Sequence, residues 1–430
     1  MTTNNAYGNK IIKALFVIVL CVAATTYYGV RQPQIQAGGG KGWDGVEYHR
    51  LYVYMTGETV TEPIDFPFCK RVALPYLAAQ LPLSAEKSFL VINILSGLAA
   101  TFLMYLTLAR TYSFLNIISC LLPMIFYLFA PLRFPYYHPF TVDPPALFFY
   151  ALSAFLYRRN FLGAVASLII SGLFRESGFY FAAMLILYSM AQSRERRTQL
   201  VSILMLGIAM ALSNLIQGAQ CHGSQVLDAL GYGLRKAAQL DYWLKVTAAL
   251  LMTCGAFIVS GYHRGQMERL DSINDEVGAS IVMFAFSVFL AVVGGHDSTR
   301  YLLIAYPLYA QLFAWSCREA KGWQIALGSI CGLVANNAYA RIPEPSNYWP
   351  KNDIDGFFGL FPDASHIVVS IKMLVFWGIC LLLVRHLPSL GAIILRVTNN
   401  MKIGNTLETT KWPSFSLRLV WDTVSKVKRG

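Results

Sequence analysis

Acidic side chains are scarce in this sequence. Asp and Glu number 23 against 35 Lys and Arg, and charged residues make up only 13% of the 430. A soluble globular chain carries about 25%, so this composition excludes an ordinary water-facing surface. Zinc-spaced cysteines and CxxC pairs are missing. Six of the eight cysteines (Cys21, Cys120, Cys254, Cys317, Cys331 and Cys380) lie in or beside apolar runs, where they serve as small hydrophobes. There is no GxxxxGK[ST] loop, no GxGxxG after a strand, no HExxH and no GxSxG. These absences remove ATP-driven transport and the common soluble-enzyme chemistries. The net charge of +12 is spread over short clusters rather than one stripe, so nucleic acid is not a partner. No Asn-x-Ser/Thr sequon occurs, which fits a bacterial source.

What remains is apolar and aromatic: 56% hydrophobic, 14% Phe, Trp and Tyr, with a mean hydropathy of +0.48. Apolar runs are centred at 11–30, 88–108, 113–130, 144–157, 161–174, 178–191, 199–217, 243–261, 277–294, 301–316, 322–337 and 366–385. The first is too long for a signal-peptide core and reads as a retained helix. Basic clusters occupy every second junction: Arg110, Arg158-Arg159, "SRERR", "HRGQMER", "CREAK" and Arg385. Short cytoplasmic loops gather Lys and Arg. The pattern predicts an all-α polytopic membrane protein of about 12 transmembrane or re-entrant helices, both termini cytoplasmic. Residues 1–385 form the membrane domain, 31–87 its long first external loop, and 386–430 a basic cytoplasmic tail. Runs 161–174 and 178–191 are shorter than the roughly 20 residues a crossing helix needs. They read as a hairpin with Arg175 and Glu176 at a tip that stops inside the membrane, facing an outward-opening cavity.

On this topology the acids, histidines and candidate arginines gather on the external face. "GWDGVEYH" places Asp44, Glu47 and Tyr48 at i, i+3 and i+4, on one side of any helical turn. Glycines around Asp44 allow close approach, which suits a general base; alternatively Asp44 caps a short interfacial helix. Arg175 and Glu176 either pair with each other or turn the guanidinium toward a lipid phosphate. Arg300, three residues after Asp297, suits bidentate phosphate contact or sits as an interfacial arginine. His138 and His296 read as loop histidines more readily than as metal ligands. Cys69 and Cys221 lie in polar loops and can bond if those loops face an oxidising space. "NDIDG" at 352–356 is too short to count as a nucleotide-sugar motif.

The first external loop runs Asp44-Gly45, Tyr48, Asp65-x-Pro67, Arg71, Leu74-Pro75, followed later by "VDPPALFFYAL", "LFRES" and "HDSTRYLLIAYP". This pattern resembles a bacterial multi-pass group similar to glycosyltransferases of the GT-C fold, over roughly residues 1–320. The resemblance implies transfer of a sugar from a polyprenyl-phosphate carrier to a glycan or lipid acceptor on the extracytoplasmic face of the inner membrane. It implies Asp44 as the essential acidic residue of the first loop, acting as base or orienting the acceptor hydroxyl, Arg175 and Arg300 facing the lipid phosphate, and Arg71 or Arg341 in reserve. Glu47, Tyr48, His138, Asp143, Glu176, His296 and Asp297 would contact sugar or acceptor. The chain lacks the doubled acidic motif and the sizeable C-terminal external domain of some such enzymes, which leaves a divalent cation open. A flippase for a lipid-linked saccharide and a polysaccharide polymerase or ligase are the rival readings.

Overall fold

The computed structural model describes residues 2–385 except 61, 193–194, 216–220, 223–230, 232–234, 236–237, 261–273, 294–297, 337, 339–340 and 343–370. Two compact units divide the chain, Met1–Leu381 and Leu382–Gly430. The tail expected at 386–430, His296, Asp297 and the "NDIDG" segment lie outside the described residues.

Each apolar run carries a helix. In chain order these are α1 (Thr2–Arg31), α4 (Ala85–Leu108), α5 (Phe114–Ile125), α7 (Asp143–Leu156), α8 (Phe161–Ser171), α9 (Ser177–Ala191), α10 (Arg196–Leu215), α11 (Leu240–Ser260), α12 (Asp275–Val293), α13 (Ser298–Ser316), α14 (Gly322–Ala335) and α15 (371–385). Three stretches, Lys10–Arg31, Ala85–Leu108 and Asp275–Val293, are long and apolar enough to cross a membrane. Together with the shorter apolar helices they point to a membrane protein. The main core is built where α1, α4, α5, α7, α8, α9, α11, α12 and α13 pack together, with Tyr150, Ala151, Leu168, Ala182, Tyr306 and Tyr309 at its centre.

Run 113–130 is a shorter helix than its length suggests. Pro123 lacks the amide hydrogen that the helical ladder needs, and α5 stops at Ile125. The following segment, read as an external junction at 131–143, is buried over most of its length and contains one helical turn, α6 (Phe134–Tyr137). Asn93, midway along α4, holds it inside: its amide donates to the Pro139 and Thr141 carbonyls, both at 2.8 Å. Arg133, fully buried, donates to the carbonyls of Phe126 at 3.0 Å and Asn336 at 3.3 Å.

The first loop is folded rather than open. It contains α2 (Trp43–Met55), a 3₁₀ turn (Phe68–Lys70) and α3 (Ala73–Ala79). Tyr48, Leu51, Ile64, Cys69, Leu74 and Ala78 form a second core with Phe89, Phe140, Val142, Ala146 and Phe174. This core docks the loop onto α4, α7 and the 171–177 turn. Residues Ile64–Asp65 also pair in parallel with Cys221–His222. Cys69 is disulfide-bonded, whereas the six cysteines of the apolar runs are free and buried. The Cys221 side chain lies outside the described residues.

Helices α8 and α9 form the expected short hairpin. At 11 and 15 residues they rise about 16 and 22 Å, short of a roughly 30 Å hydrocarbon core. Glycine lets their ends pinch together. A Cβ on Gly178 would stand 2.4 Å from the Gly172 nitrogen, and one on Gly172 would stand 2.5 Å from the Phe179 ring. Arg175 and Glu176 are thereby held on a tight turn.

Candidate functional site

Three separate stretches of chain deliver charged groups to one place. The "DPP" sequence starts α7 at Asp143, with prolines in the first turn, where a missing amide hydrogen breaks no helical bond. That puts a carboxylate at a helix N-terminus, where the backbone dipole favours it. Arg300 lies in the first turn of α13, and Arg175 on the α8–α9 turn. Asp143 joins them: Arg175 Nη1 donates to its Oδ1 at 2.5 Å, and Arg300 Nε donates to its Oδ2. Arg300 Nη2 also reaches Thr141 Oγ1 at 3.5 Å, while the Arg175 guanidinium lies 4.7 Å from the Tyr301 ring centre.

Asp44, in the first turn of α2, completes this chain of charges. Arg300 Nη1 donates to its Oδ2 at 3.0 Å. Gly42, not Asp44, is the N-cap of α2, so the Asp44 carboxylate is not used to cap the helix. A second pair stands beside the first. Arg71 donates through Nε and Nη2 to both oxygens of Glu176, each at 2.7 Å, and through Nη1 to the Tyr48 hydroxyl at 2.7 Å.

Exposure divides these groups, with Asp143 as buried as the arginines at 9%. The side chains of Arg71, Arg175 and Arg300 are 5%, 4% and 9% exposed, but those of Asp44 and Glu176 are 25% and 24%. The three arginines and Asp143 are buried, and Asp44 and Glu176 keep a quarter of their side-chain surface open. Arg175 Nε is buried with no hydrogen-bond partner, so an inward-reaching ligand oxygen has a donor to meet there.

Burial is the largest influence on Asp44 and would raise its pKa. The positive charges of Arg300 and then Arg71 outweigh it and hold the carboxyl below its ordinary value. Asp44 is therefore ionised at neutral pH. Its neighbour His138 is buried on α6's C-terminal side, and burial, followed by the Arg300 charge, lowers its pKa from 6.5 to about 4. Below pH 6.5 the unfolded chain takes up a proton at this histidine that the folded chain refuses. Stability present at neutral pH is thus lost as pH falls from 6.5 toward 4, by up to about 3 kcal/mol. Thermal unfolding in detergent should show this decline, and His138→Gln should flatten it.

Two glycines make room for His138. A Cβ on Gly42 would stand 2.4 Å from its Nε2, and one on Gly45 would stand 3.1 Å from its Cε1 and 2.8 Å from Phe140 Cβ. Gly42 also has φ +72° and ψ −168°, a conformation essentially confined to glycine. Gly42→Ala should cost about 2–4 kcal/mol in stability, measurable as a lowered unfolding midpoint.

Several sequence expectations change. Arg175 and Glu176 do not pair with each other: adjacent on a tight turn, they diverge to Asp143 and Arg71. Glu47 is outside the cluster and pairs with Arg50 at 2.8 Å, the partner three residues along α2. Asp44 and Tyr48 do share the expected face. His138 is not an open loop residue, because Asn93 ties the 139–141 backbone inward. Tyr137 is buried in a small core with Ile35, Leu128, Phe134 and Ile342. Arg341 is exposed. Thr141, Tyr301 and Asn93 were not singled out by sequence. Asn93 alone left a trace there, a lone amide within an apolar helix.

The cluster does not fit a divalent cation. Each of its carboxylates faces a guanidinium, and no group of three His, Cys, Asp or Glu among the described residues is placed to hold a metal. Comparison with known families, curated proteins and solved structures finds no match. The chain's own residues therefore carry its functional reading.

Proposed function

We propose that this chain is an integral membrane glycosyltransferase of GT-C type. It would move a sugar from a polyprenyl-phosphate carrier to a glycan or lipid acceptor on the extracytoplasmic side of a bacterial inner membrane. The observation that carries the reading is the Asp44–Arg300–Asp143–Arg175 chain: a part-exposed carboxylate backed by buried guanidiniums, at the ends of apolar helices. The disulfide-bonded Cys69 in the same folded loop supports an oxidising, extracytoplasmic setting for that end. Basic junctions at alternate ends of the twelve helices support cytoplasmic termini.

In this reading the acceptor hydroxyl attacks the anomeric carbon as the bond from that carbon to the phosphate oxygen breaks. The electron pair leaves with the lipid phosphate, and the hydroxyl proton passes to Asp44. A carboxylate with a lowered pKa is a weak base, which suits an oxocarbenium-like reaction where the proton moves late. The departing phosphate is already a stable anion, so it needs fixed positive charge more than a proton. Arg175 Nε and the Arg300 guanidinium supply it. Glu176, held by Arg71, is placed to accept hydrogen bonds from sugar hydroxyls.

The test is sugar transfer by the purified protein, using radiolabelled polyprenyl-phosphate sugars and a broad acceptor panel. Transfer that depends on Asp44 supports the reading. Movement of the lipid-linked sugar across vesicles without transfer would replace it with the flippase reading.

A further inference from the structure

A second charged cluster lies at the opposite end of α7. Phe155 stands 12 residues after Asp143, about 18 Å along the helix. Two guanidiniums share its ring: Arg110 lies 4.5 Å and Arg159 5.2 Å from the ring centre. Arg158 stands next to them, its side chain 67% exposed, with only Glu276 near at 4.0 Å. Among the described residues neither Arg110 nor Arg159 forms an ion pair within 4.0 Å, and the one carboxylate acting on Arg110, Glu276, is paired with Arg158. Partial burial and then the Arg159 charge, with a smaller push from Arg158, hold the Arg110 guanidinium below its ordinary value despite the opposing Glu276 carboxylate. Like charges gathered this way repel one another, and an anion between them would relieve the repulsion.

Position decides which anion. Arg110 follows directly after α4, a 24-residue apolar helix long enough to span a membrane. That is the level where phospholipid phosphates lie. The N-terminus of α8 begins two residues after Arg159, with its backbone dipole favouring negative charge there. Planar guanidiniums suit bidentate phosphate contact.

We propose that Arg110, Arg158 and Arg159, with Phe155 as their platform, bind the phosphate of an anionic membrane phospholipid. This site is separate from the Asp44 cluster and does not depend on the function assigned to it. It would fix the depth of the α4–α5 and α7–α8 turns in the bilayer.

Native mass spectrometry of the full chain, titrated with phosphatidylglycerol or phosphatidylcholine, tests it. Wild type should retain phosphatidylglycerol in preference to phosphatidylcholine. Arg110→Gln/Arg159→Gln should bind phosphatidylglycerol about 25-fold more weakly, at about fivefold per guanidinium. Arg158→Gln, at an exposed position unimportant for packing, should weaken it about fivefold. Arg50→Gln, in the first loop, should leave it unchanged. Equal binding of the two lipids, or wild-type affinity in the Arg158→Gln variant, would overturn the proposal. So would full displacement of the lipid by millimolar inorganic phosphate, which would make free phosphate the ligand.

Discussion

On the proposed glycosyltransferase function, Asp44→Asn is expected to lower sugar transfer by about 10²–10⁴-fold while leaving the protein folded. The two halves of that outcome have different physical origins. Amide replaces carboxylate at the one part-exposed acid linked to Arg300, so the acceptor hydroxyl loses its proton acceptor. Arg300 meanwhile keeps its hydrogen bonds to Asp143, which it shares with Arg175, and to Thr141, so it is not left bare. The Asp44 side chain is also a quarter exposed, and water can serve the replaced group. Loss of stability should stay below about 2 kcal/mol. Circular dichroism and the unfolding midpoint check the fold, and radiolabel transfer checks the activity. Glu47→Gln is the contrast, because Glu47 pairs with Arg50 and with none of the cluster's arginines; its transfer rate should stay within about twofold of wild type. Equal activity in wild type and Asp44→Asn would remove the catalytic assignment.

Asp143→Asn should do the reverse and damage the fold first. This carboxylate is buried, and it is the shared anion of Arg175 and Arg300. Neutralising it leaves the buried Arg175 without its carboxylate, while Arg300 keeps Asp44 alone. Removing one member of a buried ion pair costs about 3–5 kcal/mol. Denaturant titration in detergent micelles should show that loss for Asp143→Asn. Asp143→Leu/Arg175→Met removes the anion together with one of its cations, so it should lose less than the sum of the two single changes. Strict additivity would mean that the short Asp143–Arg175 contact contributes no coupling. A set of variants in which Asp44→Asn loses activity alone and Asp143→Asn loses both separates the group that reacts from the group that holds it.

Helix positions were legible because lipid leaves few alternatives. Backbone groups in hydrocarbon must satisfy themselves, so apolar runs become helices, and each of the twelve runs did. The i, i+4 relation of Asp44 and Tyr48 was legible for the same reason, since α2 fixes it locally. Of the exceptions one is local and one is tertiary, since Asn93 bonds carbonyls 46 and 48 positions away. Pro123 shortened α5, and Asn93 pulled an apparent loop into the interior.

Partnerships were another matter. Nothing in "FRES" says that Arg175 turns toward α7 while Glu176 turns toward Arg71, or that Arg300 joins Asp143 to Asp44. Those choices compare contacts between residues 32, 105, 157 and 256 positions apart, and only the packed helices bring such groups within reach. By itself the sequence determined a lipid-suited helical chain with its acids and candidate arginines in a few short motifs. The tertiary structure decided which acid meets which base, which charges are buried and which carboxylates stay partly exposed. Helix formation follows from neighbours along the chain and the solvent around it, whereas an ion network needs distances that local rules do not contain.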